Sequence, residues 1–400
     1  MSVSSGKYDV VIVGGGPAGA SAAIHLASMG ARVMIAEQKK FPRAKLCGEF
    51  ISPECLEHFA RLGVEERMLA AGGARLNETV FYSRNGSKVD VPSEWFGARR
   101  MALGLSRAEM DNNLLMRARE TGAEVFEETQ GTGLLIERGR VRGVRLKSSG
   151  EVFECTARIV VDATGREHAL SRFFGDRANG HSRMTRRSRT LVAFKAHLEN
   201  ARGLANVCEI YFYRGGYGGL SRVENGLSNL CFIASARDVR ACRSDAGRVM
   251  REVVMSNARA RETLGDARPA CEWLAVSLDG FGRRALAPAC GLIAIGDAAS
   301  FIDPFTGSGM LMALESGELA AQTIARWLAE SFSDENPKML AEDYSARYSQ
   351  KFAARLRICA LVRRAAFVPR LAEAMIFALG KSDAARRRLA RATREGKRKK

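Results

Sequence analysis

The sequence predicts an α/β fold, and three short apolar segments carry that prediction. Residues 8–13, 158–162 and 291–295 are each rich in Val, Ile, Leu or Ala, and each leads into a turn that contains glycine. Runs of this length and composition are typical of strands that are buried on both faces of a parallel sheet. The fold class is therefore a parallel, helix-covered sheet, and the residues that follow each strand are candidates for its functional site.

The first of these strands leads into a glycine-rich turn that opens a helix. The turn has the spacing GxGxxG, with a proline suited to the first helical position: Gly14, Gly16, Pro17, Ala18 and Gly19. The first glycine permits the tight turn, the second lets a pyrophosphate approach the backbone, and the third lets the helix pack on the strand. A second strand over residues 32–36 ends at Glu37, where a carboxylate can accept hydrogen bonds from ribose hydroxyls. This combination predicts a Rossmann-like unit for a dinucleotide, either NAD or FAD.

Two later motifs choose between these dinucleotides. One strand ends in DATG at 162–165, and another ends in GDAA at 296–299, followed by FIDPFTGSG at 301–309 and a helix to about residue 328. Together with the glycine-rich turn, the set resembles the flavoprotein superfamily of p-hydroxybenzoate hydroxylase, geranylgeranyl reductases and flavin-dependent halogenases. The resemblance covers roughly residues 8–330. It implies FAD as the cofactor, in a Rossmann-like FAD-binding domain with an interleaved β-sheet substrate domain and a C-terminal helical segment.

The resemblance also assigns cofactor roles to single residues. Asp297 takes the family's hydrogen bond to the ribityl chain, next to the motif glycines Gly165 and Gly296. The segment implied to run beneath the isoalloxazine supplies Pro304, Gly307, Ser308 and Gly309. The helix that follows aims its N-terminus at the N1/O2 edge of the flavin, where helix amides stabilise the negative charge of the reduced ring.

Two further segments are expected at the cofactor. Arg107 matches the family's arginine that contacts the flavin's phosphate or ribityl region, and we favour that role. The alternative is that Ser106 caps a helix and Arg107 is simply exposed. Arg43, Cys47 and Gly48 belong to the loop after the second strand, which reads Cys-Gly-Gly in geranylgeranyl reductases. Here Glu49 replaces the second glycine. We interpret Cys47 as a packed thiol rather than a reactive one.

These motifs divide the chain into interleaved parts. The predicted division is FAD-binding 1–82, substrate-domain insertion 83–100, FAD-binding 101–175, substrate domain 176–285, FAD-binding 286–330, and a basic helical C-terminal region 331–400. Strand-like runs within 176–285 predict a sheet that roofs the flavin. From that sheet we expect four residues at the substrate pocket: Tyr211, Tyr213, Tyr217 and Arg222.

Three reactions are considered for such a frame. The sequence argues against halogenation, because Trp95, Trp273 and Trp327 are the only tryptophans and none forms a W-x-W-x-I-P signature. A geranylgeranyl-reductase-like hydride addition to a C=C bond is one alternative, but the chain keeps only Gly216-Tyr217 of that family's Gly-Tyr-x-Trp-x-Phe-Pro-like segment. The prediction is therefore an NAD(P)H-dependent monooxygenase that hydroxylates an aromatic, polyketide-like or other apolar small molecule through a flavin C4a-hydroperoxide.

The sequence lacks a separate domain for the nicotinamide reductant. The sequence contains no second GxGxxG unit with a strand, helix and acid, so NAD(P)H is expected to bind transiently. The flavin performs the chemistry, and no catalytic acid or base is assigned. A flavin- or ligand-binding protein that turns nothing over is the alternative of a different class.

Charge is concentrated in one part of the chain. The net charge is +18, and residues 351–400 contain 16 Lys and Arg against 3 Asp and Glu. We expect this region to form helices that cover the core, and the alternative is peripheral contact with an anionic membrane. We expect no specific binding to nucleic acid, because no aromatic residues lie between the basic ones to stack on bases. Nine scattered cysteines and five histidines indicate reduced thiols and no metal site. The beginning of the sequence, without an apolar signal region, favours a cytoplasmic location.

Overall fold

Two large β-sheets organise the chain. The structure, a computed structural model, describes residues 7–97, 99, 101–174, 191–278, 280–330, 337–367 and 369–394. Its strands are β1 Lys7–Val13, β2 Val33–Ala36, β3 Phe50–Ile51, β4 Ala74–Leu76, β5 Glu78–Tyr82, β6 Lys88–Pro92, β7 Ala102–Gly104, β8 Glu124–Phe126, β9 Thr129–Glu137, β10 Arg140–Ser148, β11 Glu151–Asp162, β12 Leu191–Glu199, β13 Val207–Tyr213, β14 Gly216–Arg222, β15 Ser228–Ser235, β16 Arg268–Pro269, β17 Leu274–Leu278, β18 Gly282–Arg283, β19 Leu292–Ala294 and β20 Ser300–Phe301. Its helices are α1 Pro17–Ser28, α2 Pro53–Leu62, α3 Glu65–Ala70, α4 Arg107–Glu120, α5 Ala236–Ala241, α6 Ala246–Glu252, α7 Ala258–Leu264, α8 Gly309–Ala329, α9 Pro337–Ala366, α10 Pro369–Gly380 and α11 Asp383–Ala392.

The first sheet contains the three strands on which the fold prediction rested. Its order is β8-β2-β1-β11-β10-β9, with β19 also beside β11, and β1, β2, β8, β11 and β19 run parallel. The central strands are buried on both faces: Val10–Ile12 and Ile159–Val161 are completely buried. Helices α1, α4 and α8 pack over one face of this sheet, and β1, β11 and β19 all end at the same edge. The α/β prediction is confirmed.

The second sheet lies over that edge. Its order is β16-β12-β15-β14-β13-β5-β6, with β17 beside β12, and only the β5–β13 pair is parallel. One face packs on α5, α6 and α7, and the other faces the first sheet. Because β5 pairs with β13, the second sheet takes in Glu78–Tyr82, which precedes the predicted insertion 83–100. The predicted boundaries at 175/176 and 330/331 adjoin residues outside the described ranges.

The C-terminal region folds back over the opening between the two sheets. Helix α9 is continuous because no Pro or Gly interrupts residues 338–366, and Pro369 starts α10. A further helix, α11, begins at the cap Ser382, whose hydroxyl accepts a hydrogen bond from the N–H of Ala385. Arg386 and Arg394 anchor α11 by ion pairs with Asp90 and Glu54. The described part of the basic tail is therefore structured against the core through 394.

Candidate functional site

One cavity of about 740 Å³ lies between the two sheets and the C-terminal helices. It is bordered by the carboxyl ends of β1, β11 and β19, where an α/β sheet places its ligands. Most of the residues predicted from the sequence line it: Gly14, Gly16, Pro17, Ala18, Glu37, Arg43, Cys47, Gly48, Arg107, Gly165, Tyr217, Gly296, Asp297, Pro304, Gly307 and Gly309. The motifs from distant parts of the chain therefore meet at a single site.

The glycine-rich turn needs its first and third glycines for packing and its second for the cavity. A Cβ on Gly14, where φ is +111°, would lie 2.3 Å from the Ala163 carbonyl oxygen. A Cβ on Gly19 would lie 1.9 Å from the Gly14 oxygen, so Gly19 acts through the shape of the turn and does not line the cavity. At Gly16 the nearest group is the Arg43 guanidinium at 4.0 Å. This open backbone edge and the N-terminus of α1 form a cradle for an anion.

Glu37 is fixed at the end of β2 by backbone donors. It is 4% exposed, its Oε2 accepts a hydrogen bond from the N–H of Gly15 (2.8 Å), and its Oε1 accepts one from the N–H of Lys39 (2.9 Å). The carboxylate borders the cavity with lone pairs left for ribose hydroxyls. This geometry matches the acid that a dinucleotide-binding unit carries at this position.

A cluster of cations surrounds Asp297. The guanidinium of Arg107 donates to both oxygens of Asp111 (2.8 and 2.7 Å), and Arg43 lies 3.2 Å from the same carboxylate. Two arginines therefore share one buried counter-charge. Lys45 joins them, and burial together with the charges of Arg107 and Arg43 lowers its pKa.

The Asp297 carboxyl faces these cations across the cavity. Burial raises its pKa, while Arg107, Lys45 and Arg166 act in the opposite direction. Among the described residues no side chain or backbone group is hydrogen-bonded to its carboxyl oxygens. A partly buried acceptor at the cavity wall fits a ligand hydroxyl. Lys45 and Arg166 were missed from the sequence, although both lie inside or next to predicted cofactor segments, where a basic residue is itself a signal.

The Cys47–Glu49 loop connects the cofactor side to the second sheet. Burial raises the pKa of the Cys47 thiol, as expected for a packed cysteine. Glu49 has a backbone φ of +53°, and its side chain is fully buried. Its Oε1 accepts hydrogen bonds from the backbone N–H of Arg107 and from the ammonium of Lys195, both at 2.9 Å. Its Oε2 lies 2.6 Å from Nε2 of His197. Burial alone would raise the pKa of Glu49, but His197 and Lys195 outweigh it and lower the pKa.

The segment before α8 is tied to both the second sheet and α9. The carboxylate of Asp303 accepts hydrogen bonds from the N–H of Phe305 (3.0 Å) and the hydroxyl of Tyr217 (2.5 Å), and it lies 3.1 Å from Nε of Arg363. Pro304, Gly307 and Gly309 line the cavity, whereas the Ser308 hydroxyl is directed away and donates to the Thr393 carbonyl (3.1 Å). The N-terminus of the 21-residue helix α8 therefore opens onto the cavity.

The structure corrects three of the four predicted pocket residues. Tyr211 and Tyr213 lie on the opposite face of the second sheet, where their hydroxyls donate to Glu209 and to the Ile233 carbonyl. Side chains alternate along a strand, and Phe212 takes the cavity side. Arg222 is exposed at the end of β14 and does not reach the cavity.

Comparison with known proteins identifies the family. The FAD binding domain family matches residues 7–356. The chain belongs to the FAD-dependent oxidoreductases. This flavoprotein is 30% identical over 349 residues to the digeranylgeranylglycerophospholipid reductase of Methanosarcina mazei, covering 86% of this chain and 80% of the relative. It is 28% identical over 366 residues to the menaquinone reductase of Mycolicibacterium smegmatis, covering 86% of this chain and 83% of that one.

Solved structures show the same fold. A flavin-dependent brominase aligns with a TM-score of 0.78 at 20% identity, over 97% of this flavoprotein and 93% of the brominase. A geranylgeranyl bacteriochlorophyll reductase-like protein from Thermoplasma acidophilum aligns with a TM-score of 0.77 at 20% identity, over 96% of each chain.

The residues of the cavity fit FAD. The open edge at Gly16 and the α1 N-terminus would hold its pyrophosphate, Glu37 its ribose, and Asp297 its ribityl hydroxyls. The cations Arg43, Lys45 and Arg107 supply charge that matches an anionic cofactor. The α8 N-terminus would face the edge of the ring that becomes negative on reduction.

Proposed function

We propose that this flavoprotein uses FAD, reduced by NAD(P)H, to saturate C=C bonds in the isoprenoid chain of a lipid. The observation that carries the proposal is the apolar half of the cavity, between the second sheet and helices α9–α11. It is lined by Phe81, Val89, Val91, Ile210, Phe212, Ile233, Leu278, Val362, Ile376, Leu379 and Leu389. A wall of this composition favours a long apolar ligand over a small polar one.

The names of the relatives point in the same direction. Relatives that share 28–30% identity over more than four fifths of this chain are named as reductases of digeranylgeranylglycerophospholipid and of menaquinone. The sequence motifs favoured a monooxygenase, whereas the relatives and the apolar wall together favour the reductase alternative.

The chain's own contribution is to position the double bond and exclude water. When bound, reduced FAD supplies a hydride. Four aromatic rings border the site, those of Phe81, Phe212, Tyr217 and Phe305. The ring of Phe305 is central, and its centroid lies 5.3–5.8 Å from the centroids of the other three. They give the apolar chain a rigid surface next to the segment that would underlie the flavin.

Saturation also requires one proton for each hydride, and we assign its delivery to Tyr217. Tyr217 lines the cavity, and its hydroxyl donates a hydrogen bond to the buried Asp303, whose other oxygen faces Arg363. The pKa of Tyr217 is raised well above its ordinary value, mainly because the side chain is buried. The hydroxyl therefore keeps its proton at neutral pH. Hydride on one carbon and this proton on the other complete the reduction. A proton from solvent then restores the Tyr217 hydroxyl, and Asp303 again accepts its hydrogen bond.

The proposal is tested with the purified holoenzyme under anaerobic conditions. NADPH or NADH is added with a digeranylgeranylglycerophospholipid or with menaquinone in detergent, and the extracted lipid is analysed by mass spectrometry. The expected product gains two hydrogens for each bond reduced, and one of them carries deuterium when the reductant is 4-deuterated.

Two results would contradict the reductase assignment. Under air, a product that gains one oxygen atom instead of two hydrogens would establish the monooxygenase. Flavin that no nicotinamide reduces, with or without lipid, would favour a flavin- or ligand-binding protein without turnover.

A further inference from the structure

Helices α9, α10 and α11 separate the apolar half of the cavity from the outside. Val362 on α9, Ile376 and Leu379 on α10, and Leu389 on α11 face inward and line the cavity. The three helices contact each other in sequence order, and α10 also contacts β6 and β13 of the second sheet. The cavity therefore accounts for the apolar side chains on the inner faces of these helices.

The outer faces of these helices carry large apolar side chains that nothing in the described chain covers. Leu371 and Phe377 on α10 are 53% and 67% exposed, and Leu361 near the end of α9 is 62% exposed. Isolated exposed apolar residues are common on protein surfaces, but α10 is apolar on both its inner and its outer side. A helix of that kind needs a second apolar environment.

Positive charge surrounds this apolar surface. Among the described residues from 355 to 394, the exposed basic side chains are those of Arg357, Arg364, Lys381, Arg387 and Arg388, and the acids are Glu373 and Asp383. The ammonium of Lys381 lies 4.1 Å from the centre of the Phe377 ring, and Arg364 is exposed near Leu361 along α9. Neither cation is ion-paired with a residue in the described ranges. Apolar side chains interleaved with free cations match the interface of an anionic bilayer.

We propose that the α10 surface, formed by Leu361, Arg364, Leu371, Phe377 and Lys381, docks on a bilayer that contains anionic lipid. No described helix is long and apolar enough to cross a membrane, so the contact is with one leaflet. The apolar side chains insert at the level of the headgroups and the cations face lipid phosphates.

A groove next to this surface shares one wall residue with the cavity. It has a volume of about 440 Å³ and is formed by the β5–β6 turn, with Ser83 and Lys88, and by Ile376, Phe377 and Lys381 of the α10 region. Ile376 lines both this groove and the main cavity. Resting on the proposed function, we infer that an isoprenoid chain passes from the leaflet to the flavin beside Ile376.

The docking is tested by co-sedimentation of the full-length holoenzyme with vesicles, without substrate. Vesicles of phosphatidylcholine alone are compared with vesicles that also contain phosphatidylglycerol. We expect the protein to pellet with the anionic vesicles, and added NaCl to weaken the binding. The double variant Leu371→Ser/Phe377→Ser should bind at least about tenfold more weakly, because it removes two apolar anchors.

A matched control changes exposed apolar residues elsewhere. Ile136 and Val152, on β9 and β11, are 51% and 58% exposed, and Ile136→Ser/Val152→Ser should bind as the wild type does. A wild type that stays in the supernatant with both vesicles, or equal binding by both double variants, would overturn the docking proposal. Since binding is measured without turnover, vesicle binding without lipid reduction would overturn only the proposed function and the lipid path that depends on it.

Discussion

Replacing Glu49 by glycine changes the free energy of unfolding in two opposite ways. Glu49 holds a left-handed backbone conformation, φ +53°, which glycine adopts without strain. Its carboxylate is also the counter-charge of Lys195, which is 2% exposed. The Glu49→Gly variant removes both the strain and the counter-charge, and the free energy of unfolding shows which contribution dominates.

The magnitudes predict a net loss of stability. Relief of left-handed backbone strain contributes roughly 1–2 kcal/mol in favour of the variant. Removing one partner of a buried ion pair costs about 3–5 kcal/mol, because the other charge stays buried without compensation. We therefore expect Glu49→Gly to lower the free energy of unfolding by about 1–4 kcal/mol.

The assay is urea unfolding of the holoenzyme at neutral pH and a fixed excess of FAD, followed by far-UV circular dichroism, since bound cofactor adds to stability. Glu49→Ala is the matched control: it removes the same carboxylate but keeps the strain, so it should be less stable than Glu49→Gly by about 1 kcal/mol. Lys195→Met added to Glu49→Gly should restore at least half of the loss, because it removes the uncompensated charge. A Glu49→Gly variant as stable as the wild type would refute this account of the buried pair.

Three further predictions concern the cofactor, the proposed chemistry and acid stability. Gly19→Ala places a Cβ 1.9 Å from a carbonyl oxygen of the glycine-rich turn, so the purified variant should contain little FAD, measured by its flavin absorbance; normal flavin content would contradict the packing role. Tyr217→Phe should lower kcat for lipid reduction by about 10²-fold with flavin reduction by NAD(P)H unchanged, while Tyr213→Phe, on the far face of the sheet, should keep full activity. His58 on α2 lies 3.3 Å from the carboxylate of Glu318 on α8, and its hydrogen bond is the main cause that lowers the pKa of Glu318 to about 2. The stabilisation from this carboxylate is therefore complete above about pH 4.5 and is lost as pH falls towards 2. Glu318→Gln should therefore remove about 2 kcal/mol at neutral pH and progressively less on acidification, in urea unfolding across pH; a pH-independent difference would refute the role of this carboxylate.

Local motifs were sufficient to predict the cofactor half of the site. The roles of Gly14, Glu37 and Asp297 follow from strand, turn and helix patterns within short stretches of sequence, and these residues meet because parallel strands end at one edge of the sheet. Local patterns do not show whether Tyr211 or Phe212 faces the cavity. Both faces of β13 are buried, so its apolar residues do not alternate with polar ones and do not indicate which side faces the cavity.

Local sequence patterns do not show which residues far apart in the chain will interact. Glu49 and Lys195 are 146 positions apart, and only the stacking of one sheet on the other brings them together. The same holds for Arg386 and Asp90, whose ion pair holds a segment that looks like a solvated, charged helix in the sequence. A charged side chain shows its partner only after folding. The sequence therefore predicts helices that cover the core, but not which of their residues line the cavity.

The position of α11 has a consequence for the order in which the chain is made. The cavity begins at the turn after β1, yet Leu389, Thr393 and Arg394 form part of its wall, and Thr393 accepts the hydrogen bond from Ser308 beside the α8 N-terminus. During synthesis, the turn that would hold the pyrophosphate emerges from the ribosome long before the residues that close the opposite side. That turn packs against Ala163, so it needs β11 before it is complete, and the compartment around the substrate is enclosed only after residue 394 has been added.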